Sequence, residues 1–225
     1  MTRTLTFSMI TLAGCLALMG AIGCNTAIAA NMLPDPKVDE SPATAKGPET
    51  VVLSGGCFWG IQAVFKHVKG VTNATAGYSG GTVKNPSYED VSSGETGHAE
   101  SVEVIYDPSK VTFGQLLKVF FSVAHDPTEL NRQGPDVGTQ YRSAIFFTNP
   151  DQERIAEAYV DQLTEAKTFS SRIVTQIAPM KAFYRAEDYH QDYAVHHPDN
   201  PYIMMNDLPK VANLKKQLPD LYVNR

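Results

Sequence analysis

The segment "AESVEVIYD", Ala99 to Asp107, constrains the fold more than any other in this 225-residue chain. Its apolar residues alternate at Val102, Val104 and Tyr106. A period of two puts side chains on one face of a strand, so this is a half-buried strand. A strand of a doubly wound parallel sheet is covered on both faces and reads as a continuous apolar run instead. "TVVLSG" from Thr50, "VTNATAGYSGG", "YRSAIFFT" and "RIVTQIA" also read as strands. Helical spacing lies between them: Phe58, Ile61, Val64, Phe65 and Val68, with Gly70 as a stop. "TFGQLLKVFFSVAH" predicts an amphipathic helix capped by Thr112, and "NPDQERIAEAYVDQLTEA" one with proline at its start. Periodicity weakens after Met180, and "LPKVANLKKQL" predicts a last short helix. Such interleaving predicts an α+β fold, a mixed sheet with helices on one face.

The first thirty residues are of another kind. Arg3 is their one charge, an apolar run follows, and "AIA" at Ala27–Ala29 supplies the small residues of a cleavage site. This is a secretory signal peptide in form, which implies an exported, periplasmic protein. "LAGC" ending at Cys15 and "AIGC" ending at Cys24 resemble lipoprotein cleavage boxes, so a lipid anchor is the alternative fate of this segment. Residues 31–48 carry four prolines and few large apolar side chains, which predicts a flexible tether. The domain is expected over 49–225. The formal net charge of −5 and the absence of any Lys/Arg-rich block remove the electrostatic basis for nucleic-acid binding.

The chain has three cysteines, and only Cys57 lies outside the N-terminal thirty residues. It cannot form a disulfide within a processed chain, so it is either inert or kept for chemistry. It stands in "LSGGCFWGIQAVF", where a strand gives way to a helix. The positive end of the helix is expected to favour its thiolate. Phe58 and Trp59 follow it and could line an apolar pocket. Glu100, in "GETGHAE", stands at the mouth of a strand. Burial would raise its pKa and make it a proton donor. From local sequence alone, core roles for the first three and a solvated loop-end position for Glu100 and His98 remain open.

"GGCFWG", "GYSGG", "NPSYEDV", "GHAESVEVIYDP", "HDPTELNRQGPDVGTQYRS" and "AEDYHQDY" occur in this order between residues 50 and about 195. Together they resemble the A-type peptide methionine sulfoxide reductases. The resemblance implies a two-layer α+β sandwich with a ferredoxin-like core. It implies reduction of the S epimer of methionine sulfoxide, free or in proteins, with no bound cofactor or metal. It implies Cys57 as nucleophile, Glu100 as acid, Tyr88 and Tyr141 as hydroxyl donors to the sulfoxide oxygen, and Asp136 as support of the polar side. Phe58 and Trp59 would hold the substrate methyl group. Tyr184, Asp188 and Tyr189 lie in a family motif and are expected in the site wall.

One departure stands out. Many relatives carry a resolving cysteine near the C-terminus, whereas no cysteine follows Cys57 here, and Ser92 stands where relatives often have one. A sulfenic acid on Cys57 would then be cleared by an external thiol, a thioredoxin-like protein or a small thiol. The protein is expected to act as a monomer in repair of oxidised exported proteins. Two rival readings exist. A cysteine hydrolase would need His98, His125 or His190 as base at Cys57. A lipid-anchored binding protein would use the Phe58–Trp59 pocket without chemistry. The pair His196–His197 has no matching ligand spacing and is read as loop.

Overall fold

The computed structural model describes Met1, residues 32–41 and residues 47–225. The signal-peptide reading of 1–30, including Cys15 and Cys24, lies outside the described residues apart from Met1. The chain divides into two units, Met1–Asn31 and Met32–Arg225, and everything below concerns the second.

Strands β1 (Glu49–Ser54), β2 (Val71–Ser79), β3 (Ala99–Tyr106), β6 (Ala144–Phe147), β7 (Gln176–Pro179) and β8 (Phe183–Arg185) form one sheet, while β4 (Arg132–Gln133) and β5 (Asp136–Val137) form a small separate ladder. The helices are α1 (Phe58–Lys66), α2 (Tyr88–Ser92), α3 (Phe113–Val119), α4 (Pro150–Glu165), α5 (Tyr193–His196) and α6 (Leu208–Gln217). The large sheet has the order β7-β6-β1-β3-β2-β8. Its pairs are antiparallel except β6–β7, which is parallel, so the sheet is mixed.

Period-two burial builds the core. Val51 and Leu53 of β1, Ala74, Ala76 and Tyr78 of β2, and Val102, Val104 and Tyr106 of β3 share one cluster with Ile61, Val64 and Phe65 of α1. Leu116, Leu117, Ile155 and Leu163 from α3 and α4 complete it. Each such side chain contributes about 1.5–3 kcal/mol when taken out of water. Residues on the other face of the sheet, Val52, Ala144 and Phe146, form a smaller cluster. The α+β reading with helices layered on a mixed sheet therefore holds.

Four local differences from the sequence expectations have physical causes. First, β7 starts at Gln176 rather than Arg172, because β6 offers only four residues, Ala144–Phe147, to pair with. Second, the helix expected through His125 changes to a π-helical turn at Phe120–Ala124, where His125 Nδ1 donates to the Phe120 carbonyl. Third, the polar loops contain α2, the β4–β5 ladder and β8. Helix α2 starts on a capping box between Ser87 and Asp90, while β8 exists only through pairing with β2.

The fourth concerns the expected tether. Residues 32–41 pack against the domain instead of trailing free. Leu33 enters the core, and the Tyr159 hydroxyl donates to the Pro34 carbonyl at 2.8 Å. Lys118 pairs with Asp35 at 2.6 Å. Gly114 N–H donates to Asp39 and Phe113 N–H to Glu40, at 2.8 and 2.6 Å. The first N–H groups of a helix have no internal acceptor and carry partial positive charge, and two carboxylates supply both needs for α3.

Candidate active site

Strand β1 ends at Ser54, and Gly55 and Gly56 turn the chain into α1. Gly56 has φ +95°, a conformation that side chains rarely adopt, and a Cβ at Gly55 would meet the His125 ring at 2.7 Å. Cys57 is the N-cap of α1 and is 7% exposed. The β1–β3 ladder, which pairs Leu53 with Val102, brings Glu100 alongside. The Glu100 carboxylate accepts from Phe58 N–H at 3.0 Å, the first N–H of the helix that Cys57 begins.

Glu100 is 3% exposed. Burial raises its pKa to about 8. The Phe58 N–H opposes this, and Asp136 and Asp207 add to it. The carboxyl therefore holds its proton at neutral pH, and it is not the solvated loop-end acid that local sequence allowed. The Cys57 thiol is also pushed up, well above the usual thiol range, by burial first, and by Glu100 and Asp207 to the extent that they are ionised. The Trp59 N–H and Lys210 pull it down and do not prevail. The expectation that the helix start makes Cys57 anionic is thus corrected: the thiol is protonated, because loss of water outweighs the partial charge of a nine-residue helix.

Three further polar groups gather here. Tyr88 opens α2, and its N–H donates to Glu187 at 2.9 Å. Tyr141 closes a 3₁₀ turn, Thr139–Tyr141. Both phenols are raised by burial, and Glu100, Asp136 and Cys57 each raise both further when ionised, which places the five side chains in one cluster. Asp136, on β5, accepts a hydrogen bond from the Tyr202 hydroxyl.

The aromatic side is denser than a bare pocket. Phe58 is fully buried against Tyr78, His190 and Trp59. Trp59 is partly buried, stacks on Tyr193 at 3.8 Å, and donates from Nε1 to His190 Nδ1 at 3.2 Å. The groove that Cys57 lines has a volume of about 190 Å³ and is walled by Gln133, Asp136, Tyr202, Met205, Asn206 and Lys210, among others. A larger hollow of about 400 Å³, bounded by Trp59, Gln62, Lys66, Asp192 and Arg225, is not lined by Cys57.

The three residues singled out from sequence in "FYRAEDYH" are peripheral. Tyr184 packs edge-on against His98, Asp188 pairs with Arg185 in the open, and Tyr189 is exposed. Their neighbours support the site. Glu187 accepts from the Tyr78 hydroxyl and the Tyr88 N–H, and Gln191 bonds both backbone groups of Ala76. His190 lies between the rings of Phe58, Trp59 and Tyr88. Sequence reasoning also missed Tyr193, Tyr202, Asp207 and Lys210. The "AEDYHQDY" motif held the only signal, and it stops at Tyr193.

The histidines do not supply a base at Cys57. His98 accepts from Gly81 N–H and bonds the Val83 carbonyl. His125 is held between the Phe120 carbonyl and the Ser143 hydroxyl, and burial pushes its pKa down to about 3. His190 accepts from Trp59 at Nδ1, so its proton sits on Nε2 and that nitrogen cannot accept another. His196 and His197 are exposed. Among the described residues no group of three or more His, Cys, Asp or Glu side chains is arranged to hold a metal.

Residues 49–221 match the family described as peptide methionine sulfoxide reductase. A protein of Mesorhizobium japonicum named peptide methionine sulfoxide reductase MsrA 2 is 61% identical over 178 residues, covering 79% of this chain and 91% of that protein. A protein of the same name from Synechocystis is 52% identical over 191 residues, covering 84% and 89%. Among solved structures, methionine sulfoxide reductase A of Corynebacterium diphtheriae superposes with TM-score 0.59 at 39% identity, covering 74% of this chain and 84% of that one. Reduced Mxr1 of Saccharomyces cerevisiae gives 0.61 at 32% identity, covering 75% and 94%.

Proposed function

The chain belongs to the peptide methionine sulfoxide reductase family, A type, whose members reduce methionine sulfoxide, and from that premise we propose that Cys57 takes the oxygen from the S epimer through a sulfenic acid. The observation that carries this reading is the neutral, buried Glu100 bonded to the first N–H of the helix that Cys57 begins.

A sulfoxide has a polar S–O bond, a pyramidal sulfur and a small methyl group. Glu100 donates its proton to the oxygen, and Tyr88 and Tyr141 add hydrogen bonds from their hydroxyls. The sulfur becomes more electrophilic as its oxygen gains positive partners. The Cys57 sulfur then attacks as its own proton leaves for the carboxylate that Glu100 has become. Oxygen passes to Cys57, the S–O bond of the substrate breaks, and methionine departs. The substrate sulfur is reduced by two electrons, and Cys57 is oxidised by two to Cys–SOH. Asp136, tied to Tyr202, supports the polar side, and Phe58 and Trp59 form the apolar wall for the methyl group.

Recycling uses an external thiol, thioredoxin-like or small, since no cysteine follows Cys57. The signal-like residues 1–30 support export to the periplasm, where oxidised proteins would be the substrate. An assay on separated R and S epimers with dithiothreitol tests this. The S epimer alone should turn over, Cys57→Ser should abolish turnover, and Glu100→Gln should lower it by ~10²–10⁴-fold. After one turnover without reductant, Cys57 should carry one added oxygen. An intramolecular disulfide in the processed protein would contradict the reading.

A further inference from the structure

Helix α6 begins in an unusual way. Its N-cap residue is Asp207, a type that normally accepts from its own helix's N–H groups, yet this side chain makes no capping bond. A π-helical turn, Ile203–Asp207, precedes it and redirects the residue. Such turns often mark functional sites. Asp207 is 0% exposed, and its Oδ2 is buried without a hydrogen-bond partner. Its Oδ1 meets Lys210 Nζ at 3.3 Å. Leaving a buried carboxylate oxygen unpaired is costly, so stability of α6 does not account for the arrangement.

The pair sits against the first turn of α1, three residues from Cys57. A Cβ on Gly60 would collide with Asp207 Oδ1 and come within 2.9 Å of Lys210 Nζ. Glycine therefore keeps the place open for the pair. The Lys210 side chain is 18% exposed and lines the same groove as Cys57, of about 190 Å³. Lys210 is the one cation among the described residues lining that groove, whose acidic wall is Asp136. Glu100, by contrast, is buried at the sheet side on the Phe58 N–H.

We propose that Lys210, braced by Asp207, is the proton donor for the return half of the cycle, in which an incoming thiol clears the sulfenic acid on Cys57. This rests on the reading that Cys57 becomes Cys–SOH. The thiol sulfur bonds to the Cys57 sulfur, and the S–O bond breaks. The oxygen leaves as water, with the proton it needs coming from the Lys210 ammonium. The thiol's own proton restores Lys210. The Cys57 sulfur is reduced, the thiol sulfur is oxidised, and a mixed disulfide remains. A second thiol then exchanges it to release Cys57. Asp207 is a positioning residue in this scheme, since it acts through Lys210.

The test separates the two halves. Full-length protein is given one turnover of a methionine S-sulfoxide peptide without reductant, and product and the added oxygen on Cys57 are measured. Dithiothreitol is then mixed in, and loss of the oxygen is followed by mass spectrometry. Lys210→Met should clear the oxygen ~10²-fold more slowly, a loss well beyond any change it causes in the first half. Lys210→Arg should stay slow, because a guanidinium does not release its proton. Lys210→Ala should recover part of its clearance rate with added methylammonium. Asp207→Asn should slow clearance by more than it changes the first half. The proposal is overturned if Lys210→Met clears at wild-type rate, if both halves slow equally, or if arginine restores the rate. If wild-type Cys57 gains no oxygen at all, the sulfenic acid reading fails first, and the failure is recognisable as such.

Discussion

Replacing Glu100 with glutamine should make the protein more stable and far less active at the same time. The amide keeps an oxygen to accept from Phe58 N–H, now at 3.0 Å, so the packing of α1 on β3 survives. What is lost is the transferable proton. The folded carboxyl titrates at about 8 against an ordinary value of 4.5. At pH 7 the unfolded chain gives up that proton and the folded chain retains it. The roughly 2.5 pH units between 4.5 and 7, at ~1.4 kcal/mol each, correspond to an upper bound of about 3.5 kcal/mol of destabilisation from Glu100. The folded pKa is raised, so the folded state binds more protons and stability falls as pH rises from about 4.5 towards 8. Glu100→Gln removes that slope. For a domain of this size, that bound corresponds to a gain in Tm of at most roughly 7–14 °C at pH 7, shrinking towards zero near pH 4.5. Thermal melts of both proteins at pH 5, 6, 7 and 8 read this directly, and turnover of an S-sulfoxide peptide reads the ~10²–10⁴-fold loss. If the two melting temperatures differ by the same amount at every pH, Glu100 is not held neutral by burial, and its assignment as proton donor loses its basis.

Other substitutions probe the frame. Glu40, beside Asp39 and Glu49 and partly buried against α3, is raised to about 7, so its contribution also falls as pH rises between 4.5 and 7; Glu40→Gln should flatten that part of the stability profile. Removing residues 1–41 should lower stability by roughly 2.5–5 kcal/mol, read as a drop in the urea midpoint, because the core loses Leu33 and α3 loses the acceptors on Phe113 and Gly114 N–H. Gly60→Ala should cost about 1–3 kcal/mol, since its methyl meets Asp207, and should slow turnover by prising α6 from α1.

The sheet and main helices were legible because their signals are local. Alternation at Val102, Val104 and Tyr106, the Thr112 cap and Pro150 at a helix start each need only neighbours in sequence. Cys57 stood at a recognisable strand-to-helix junction, but local sequence left its role and that of Glu100 open, and only the ordered motifs of the family resemblance pointed to them. What escaped depends on distant partners. Strand β8 exists by pairing with β2 more than a hundred residues earlier. Residues 32–41 look like a linker in composition, yet they find unpaired N–H groups on α3. Tyr202 matters through Asp136, and Lys210 through Asp207 and the groove. Local sequence shows none of these juxtapositions.

The charge state of Cys57 shows why a local rule failed at the one residue it was meant to explain. A helix N-terminus offers about half a positive charge, worth well under the several kcal/mol that burial can withhold from a thiolate. At a surface site the first effect wins; at 7% exposure the second does. For sulfoxide chemistry this outcome is useful. A standing thiolate would react with any electrophile that entered, whereas a protonated thiol beside a protonated Glu100 waits for an oxygen that can accept a proton. In the proposed mechanism, once Glu100 has donated, the carboxylate it leaves is the base that the thiol lacked. On that scheme the nucleophile is generated by the substrate. It follows that alkylation of Cys57 by a neutral reagent such as iodoacetamide should be slow at pH 7 in the empty enzyme. Glu100→Gln should not speed it appreciably, because Glu100 is already uncharged there. A fast, pH-independent alkylation of the wild type between pH 6 and 8 would show that the thiolate stands ready after all, and would return the site to the simple helix-end picture.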